Sequence, residues 1–180
     1  MILPRRDFLE RALALSAAAL ATGSAATQAD EDSKATGPRS PNDKLRVAVV
    51  GTNGRGGSHV GGWLSNPDVE LVALCDCDPA AAAKYEKRFA ELPRKPVFEQ
   101  DVRRLLERND IDVVSIASPN HWHALMTVWA MQAGKDVYVE KPCSHNVEEG
   151  RVMVDWARKL GRICQMGAQS RSMPGMRQVV

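Results

Sequence analysis

The chain predicts an α/β fold, a doubly wound parallel sheet, and three observations predict it. Short apolar runs rich in β-branched residues, such as Val47 to Val50 and Asp112 to Ala117, alternate with longer stretches carrying apolar residues at helical spacing. The first run passes directly into a turn with four glycines in seven residues, Gly51 to Gly57. The runs also end on polar residues, Asp76, Ser118-Pro119-Asn120 and Glu140-Lys141 among them, where the carboxyl ends of parallel strands would carry chemistry. Strand and helix in strict alternation imply parallel strands wrapped by helices on both faces.

Composition narrows the partners. At 180 residues the chain can bury one core, and 24 Lys plus Arg against 22 Asp plus Glu give a net charge of +2, which favours neither nucleic acid nor an anionic membrane. No apolar run reaches the length of a stable membrane anchor. Cys75, Cys77, Cys143 and Cys164 lack the spacing of a zinc site or a disulfide framework. Cys75 and Cys77 share a strand face, would strain the backbone if joined, and read as small core residues.

Residues 1–29 read as an export signal. Arg5-Arg6-Asp7-Phe8-Leu9 precedes a short alanine-rich apolar segment, Ala12 to Ala21, and a small-residue stretch with cleavage expected after Ala26 or Ala29. The paired arginines before Phe-Leu resemble a twin-arginine signal, a general secretory signal or a chance arginine pair being the other readings. Either signal places the protein in the periplasm or outside the cell, and the first makes the twin-arginine export machinery a partner. Residues 30–44, rich in charge, Pro, Ser and Gly, read as a disordered tether.

The elements then follow in order. Leu45 to Gly57 is a strand and glycine turn, followed by a helix with Val60, Trp63 and Leu64 on one side. Val69 to Asp76 is a second strand. Asp78 caps the next helix with Pro79 at its first position, Tyr85, Phe89 and Leu92 lie on its inner face, and Pro93 and Pro96 end it. Val97 and Phe98 form a short strand, and Asp101 opens a helix with Val102, Leu105 and Leu106 inward. After the strand Asp112 to Ala117, Asn120 caps a helix whose stripe is Leu125, Val128, Trp129 and Ala133, and Gly134 stops it. Asp136 to Glu140 is a strand. Asn146 with Glu149 makes a capping-box start for a helix to Gly161, with Met153, Trp156 and Leu160 inward, and Arg162 to Met166 is the last strand.

Strand, glycine turn and helix make a pocket for a phosphate, because backbone can approach the anion and the free amides of the helix start point at it. Gly51 and Gly56 hold the first and third positions of a G-x-G-x-x-G pattern, while Asn53 stands at the second with Gly54 beside it. Asn tolerates a left-handed backbone, so Gly51, Asn53, Gly54, Arg55 and Gly56 are the candidate contacts for a dinucleotide, a plain tight turn being the simpler reading. Asp76, twenty-five residues after Gly51, can accept from both hydroxyls of an adenosine ribose and would repel a 2′-phosphate, which favours NAD over NADP. Ser118, Pro119, Asn120 and His123 form a polar wall to the same pocket; His121 and His123, with no acidic or Cys partner, make a poor metal site. Lys141, projecting from a strand end, can lose part of its solvent and serve as a proton relay, or form a surface ion pair with Glu140.

The glycine turn, Asp76, Pro119-Asn120-His121-Trp122-His123 and above all Glu140-Lys141-Pro142 resemble the Gfo/Idh/MocA oxidoreductases from Leu45 to about Arg171. The resemblance implies a Rossmann domain over 45–168 carrying NAD(P), and a second α/β substrate domain of which 169–180 is only the start. It implies hydride transfer between a sugar or polyol carbon and the nicotinamide, in an assembly that is homo-oligomeric at full length. Lys141 and His123 become the candidate catalytic residues, Lys141 on the reacting hydroxyl. Glu140 would place lysine and ribose, Asn120 and His123 would line the cofactor pocket, and Gln169 would fall at the nicotinamide end. A cis Lys141–Pro142 bond is expected. The resemblance also admits an NAD-dependent glycosidase, against which Lys141 argues, and a non-catalytic NAD-binding fragment or sensor. The second domain's Asp-x-x-x-His element has no counterpart here, since no acidic residue follows Asp155 and no histidine follows His145.

Overall fold

The computed structural model describes residues 43–178. The expected export signal lies outside the described residues, as does the tether except for Asp43 and Lys44.

Six parallel strands form one sheet in the order β3-β2-β1-β4-β5-β6. They are β1 (Leu45–Val50), β2 (Val69–Cys75), β3 (Val97–Glu99), β4 (Val113–Ile116), β5 (Asp136–Glu140) and β6 (Cys164–Gly167). The strand order reverses between β1 and β4, and in open α/β sheets the crevice beyond such a reversal is where ligands bind. Seven α-helices are described: α1 (Arg55–Leu64), α2 (Ala80–Ala83), α3 (Glu86–Phe89), α4 (Val102–Leu106), α5 (Asn120–Gln132), α6 (Val147–Leu160) and α7 (Pro174–Arg177), with a 3-10 turn at Gln169–Ser172.

Alternation along the strands, shifted in β2 by an irregularity where the pairing with β1 skips Val72, builds two cores. Val49, Leu71 and Leu74 pack with Val60, Tyr85 and Phe89 from α1 to α3 on one face. Ala48, Val50, Val72 and Val114 pack with Leu105, Val128, Met131 and Met153 from α4 to α6 on the other. Full burial of side chains such as Leu74, Leu105 and Ile116 contributes about 2 kcal/mol each. β1 is buried along Val47–Val50 because both faces of the sheet are covered, while β4 and β5 turn Ser115, Tyr138 and Glu140 to the face that meets α1.

Three expectations need correction. The helix expected after Asp78 is broken into α2 and α3, although Asp78 Oδ1 does accept from Ala80 N at 2.9 Å. The break falls at Tyr85, whose hydroxyl donates to Thr52 O at 2.6 Å and is held by that distant turn. Asn120 is the first residue of α5 rather than its side-chain cap, and the buried face of that helix is His123, Ala124, Thr127, Val128, Ala130 and Met131, with Leu125 exposed. Cys75 is buried as expected, but Cys77 is exposed. Asn146 caps α6 as expected, Glu149 N donating to its Oδ1 at 2.9 Å, but the Glu149 carboxylate reaches back to His145 N at 2.7 Å rather than to the Asn146 N–H; Gly161 closes the helix in the left-handed region.

Candidate functional site

The glycine turn is fixed by its neighbours. Gly51 has φ 79 and passes so close to β4 that an added Cβ would lie 2.6 Å from Ser118 N. A Cβ on Gly56 would lie 1.8 Å from Gly51 O, so α1 starts where it does only because that position has no side chain. The left-handed backbone falls on Gly54, φ 62, beside Asn53, whose side-chain oxygen accepts from Lys84 Nζ. Thr52 is buried between, its carbonyl taken by Tyr85.

Asp76 closes this turn from β2. Its Oδ2 accepts from Thr52 N at 2.8 Å, Thr52 Oγ1 at 3.1 Å and Asn53 N at 3.2 Å, and its Oδ1 from Asp78 N at 3.1 Å. Burial pushes its carboxyl up, but the amides of Asp78, Thr52 and Asn53 and the Thr52 hydroxyl outweigh burial and hold it below its ordinary value. Oδ2 is saturated, whereas Oδ1 keeps acceptor capacity on the open side.

A crevice of about 1030 Å³ opens at this switch point. Its walls include Gly51, Asn53, Asp76, Ser118, Pro119 and Trp122, so five of the expected cofactor residues share one cavity. Ser118 Oγ is buried and has no hydrogen-bond partner among the described residues. Arg103 also lines the crevice, its guanidinium engaged by Asp101 through Nε at 3.0 Å and Nη2 at 2.6 Å. The cradle that a Cβ would fill, the orphaned hydroxyl and the carboxylate at the end of β2 fit a dinucleotide.

Glu140 organises the other end. It is 4 % exposed; Oε1 accepts from Arg55 Nε at 2.7 Å, His59 Nε2 at 3.0 Å and Gln169 Nε2, and Oε2 accepts from Lys141 N at 2.9 Å. Burial raises this carboxyl, but the Arg55, His59 and Lys141 hydrogen bonds prevail and hold it at about 2. Arg55, Glu140, the Lys141 backbone and Gln169 thus come together. Glu140 Oε1 is saturated by protein donors, and Oε2 holds the Lys141 amide.

Two further expectations are revised. Lys141 is exposed, so the described residues do not supply the expected desolvation, and Glu140 pairs with Arg55 and His59 rather than with the Lys141 ammonium. His123 is 2 % exposed, with Nδ1 2.6 Å from Pro142 O and Nε2 2.7 Å from Ser118 O. It joins the crevice wall to the Lys141 loop. The Lys141–Pro142 bond is cis, as expected. Among the described residues, no three His, Cys, Asp or Glu side chains converge as a metal site would require.

His59, Ser115, Thr52 and Tyr85 were not anticipated as site residues. His59 stands three residues after Gly56 and one before Val60, which places it on the buried face of α1; that spacing was the available signal.

Comparison with known proteins adds to this geometry. The GFO_IDH_MocA model, described as an oxidoreductase family with an NAD-binding Rossmann fold, matches residues 45–168. Glycosyl hydrolase family 109 protein 1 from Shewanella sp. (strain ANA-3) is 35 % identical over 90 % of this chain and 38 % of its own length. The crystal structure of myo-inositol 2-dehydrogenase from Lactobacillus plantarum superposes with TM-score 0.68 and 26 % identity, over 76 % of this chain and 40 % of that one. The WlbA dehydrogenase from Chromobacterium violaceum, solved with NADH and UDP-GlcNAcA, superposes with TM-score 0.71 and 28 % identity, over 79 % and 40 %. The chain spans about two fifths of the length of these relatives.

Proposed function

The chain belongs to the Gfo/Idh/MocA oxidoreductases, and from that membership we propose that it is the cofactor-binding part of an exported enzyme that binds NAD in preference to NADP and oxidises or reduces a sugar or polyol at a hydroxyl-bearing carbon. Gly51 and Gly56 let backbone approach the diphosphate, and the amides at the start of α1 face it with the positive end of the helix dipole. Asp76 Oδ1 accepts from the adenosine ribose, and its charge opposes a 2′-phosphate. Arg103, the guanidinium in the same crevice, is already engaged by Asp101. When bound, the nicotinamide supplies the hydride acceptor or donor. Lys141 Nζ holds the substrate hydroxyl and shuttles its proton. The reading for export rests on Arg5-Arg6 before the alanine-rich segment.

The observation that carries this reading is the Glu140 carboxylate, which bonds Arg55 in the first turn of α1 and the Lys141 amide at once. The diphosphate cradle and the reactive lysine therefore lie on the same edge of the sheet, adjacent to one another. Titration of the chain with NAD and NADP, followed by tryptophan fluorescence, tests it, since Trp122 lines the crevice. Saturable binding with NAD the tighter ligand is expected, and Asp76→Ala should weaken NAD and narrow its margin over NADP. A folded chain that shows no binding at millimolar NAD would overturn the assignment.

The similarity to a glycosyl hydrolase family 109 protein supports a second reading, an NAD-dependent glycosidase that oxidises its substrate transiently, eliminates and reduces again. Release of free sugar from an aryl glycoside by the full-length enzyme, with no net NADH, would decide for it. Lys141 favours the first reading.

A further inference from the structure

The donors around Glu140 differ in how firmly each is held. Arg55 is half exposed and Gln169 lies in the turn after β6, so both can exchange with solvent. His59 is only 7 % exposed, and its ring is held on three sides. Nε2 meets Glu140 at 3.0 Å, Nδ1 meets the fully buried Ser115 Oγ at 2.9 Å, and the Tyr138 ring stands edge-on with centroids 5.5 Å apart. In the tautomer that donates from Nε2 to the carboxylate, Nδ1 accepts from the Ser115 hydroxyl, and every polar atom of the pair is satisfied. With Oε1 fixed in this way, Oε2 is turned to the Lys141 N–H.

We infer that His59 is a positioning residue for Lys141: anchored on β4 through Ser115, it locks the Glu140 carboxylate in the orientation that holds the Lys141 amide, and so fixes the direction in which the lysine leaves β5. The inference rests on the reading of Lys141 as the group that handles the substrate hydroxyl, but the contact itself exists without cofactor or substrate. It can therefore be tested apart from that reading.

Two substitutions divide the imidazole's contacts between them. His59→Gln keeps a donor where Nε2 stands and gives up Ser115. His59→Asn keeps a partner for Ser115 where Nδ1 stands and gives up Glu140. Amide hydrogen exchange at Lys141, measured by NMR on the 15N-labelled chain, reads the carboxylate's hold directly. A hydrogen bond to a charged group sets the scale, and its loss in His59→Asn should speed exchange at Lys141 about tenfold relative to neighbouring amides. His59→Gln should restore most of that protection, which a merely structural loss at this position would not do. Should His59→Asn fail to fold, Ser115→Ala removes the ring's anchor while leaving Glu140 intact, and a few-fold faster exchange at Lys141 is expected. Unchanged Lys141 exchange in folded His59→Asn, or in Ser115→Ala if the former does not fold, would overturn the inference. NAD titration of the same variants reports separately on the cofactor reading.

Discussion

Glu140→Gln tests the electrostatics of the site most directly. In the folded chain the carboxyl lies at about 2 instead of 4.5, because Arg55, His59 and the Lys141 amide more than offset its burial. At about 1.4 kcal/mol for each tenfold change, that depression stabilises the fold by about 3 kcal/mol near neutrality. The sign follows from the depressed value: the contribution is complete above the unfolded carboxyl's range and is lost as pH falls through about 2. By linkage about 2 kcal/mol of it has gone at pH 3. Urea denaturation of the chain and of Glu140→Gln at pH 7, 5 and 3 measures this, and the difference between them cancels the other carboxylates. The glutamine variant should be less stable at pH 7 by about 3 kcal/mol, with the gap narrowing steeply below pH 5. A gap that stays constant from pH 7 to pH 3 would refute the claim that Glu140 is ionised by its partners.

Three other outcomes follow from the same geometry. Gly56→Ala places a methyl 1.8 Å from Gly51 O, so the turn must move; a loss of about 3 kcal/mol in stability and of measurable NAD binding is expected by denaturation and titration. Tyr85→Phe strips the buried Thr52 carbonyl of its donor and should cost about 1–2 kcal/mol in a denaturant melt. Arg55→Lys replaces a fork, whose Nε serves Glu140 while its terminal nitrogens remain for a bound anion, by a single ammonium. NAD affinity by calorimetry should fall about tenfold with little change in fold.

What the sequence made legible is what local chemistry decides. β5 matches its expected bounds because Asp136 to Glu140 is a short apolar-centred run between turn residues. The start of α6 was legible because Asn146, three residues before Glu149, accepts the Glu149 N–H, while the Glu149 carboxylate reaches back to the Asn146 side-chain amide and the His145 N–H. The stripe of α5 was not, because 120–132 is apolar around most of its circumference and periodicity cannot choose a face there. The break between α2 and α3 depends on Tyr85 reaching a carbonyl 33 residues away, which no local pattern encodes. The same holds at the site. Gly51, Gly56 and Asp76 announce themselves by spacing, but His59 becomes a site residue only through Ser115, 56 residues away, and Glu140, 81 residues away.

Glu140 also bears on how the two ends of the site divide their work. A diphosphate held at the start of α1 would bring negative charge close to a carboxylate that is already ionised and nearly free of solvent. An unpaired buried carboxylate costs several kcal/mol, and here Arg55 supplies the compensating charge, with His59 and Gln169 also on Oε1 and the Lys141 amide on Oε2. The guanidinium that neutralises Glu140 cannot neutralise a diphosphate in full as well, so attraction for that anion must come chiefly from the helix dipole and the turn amides. The Glu140 carboxylate itself adds no attraction for that anion. Its contribution is therefore placement: it ties the first turn of α1 to the end of β5, and the residue whose backbone it grips is Lys141.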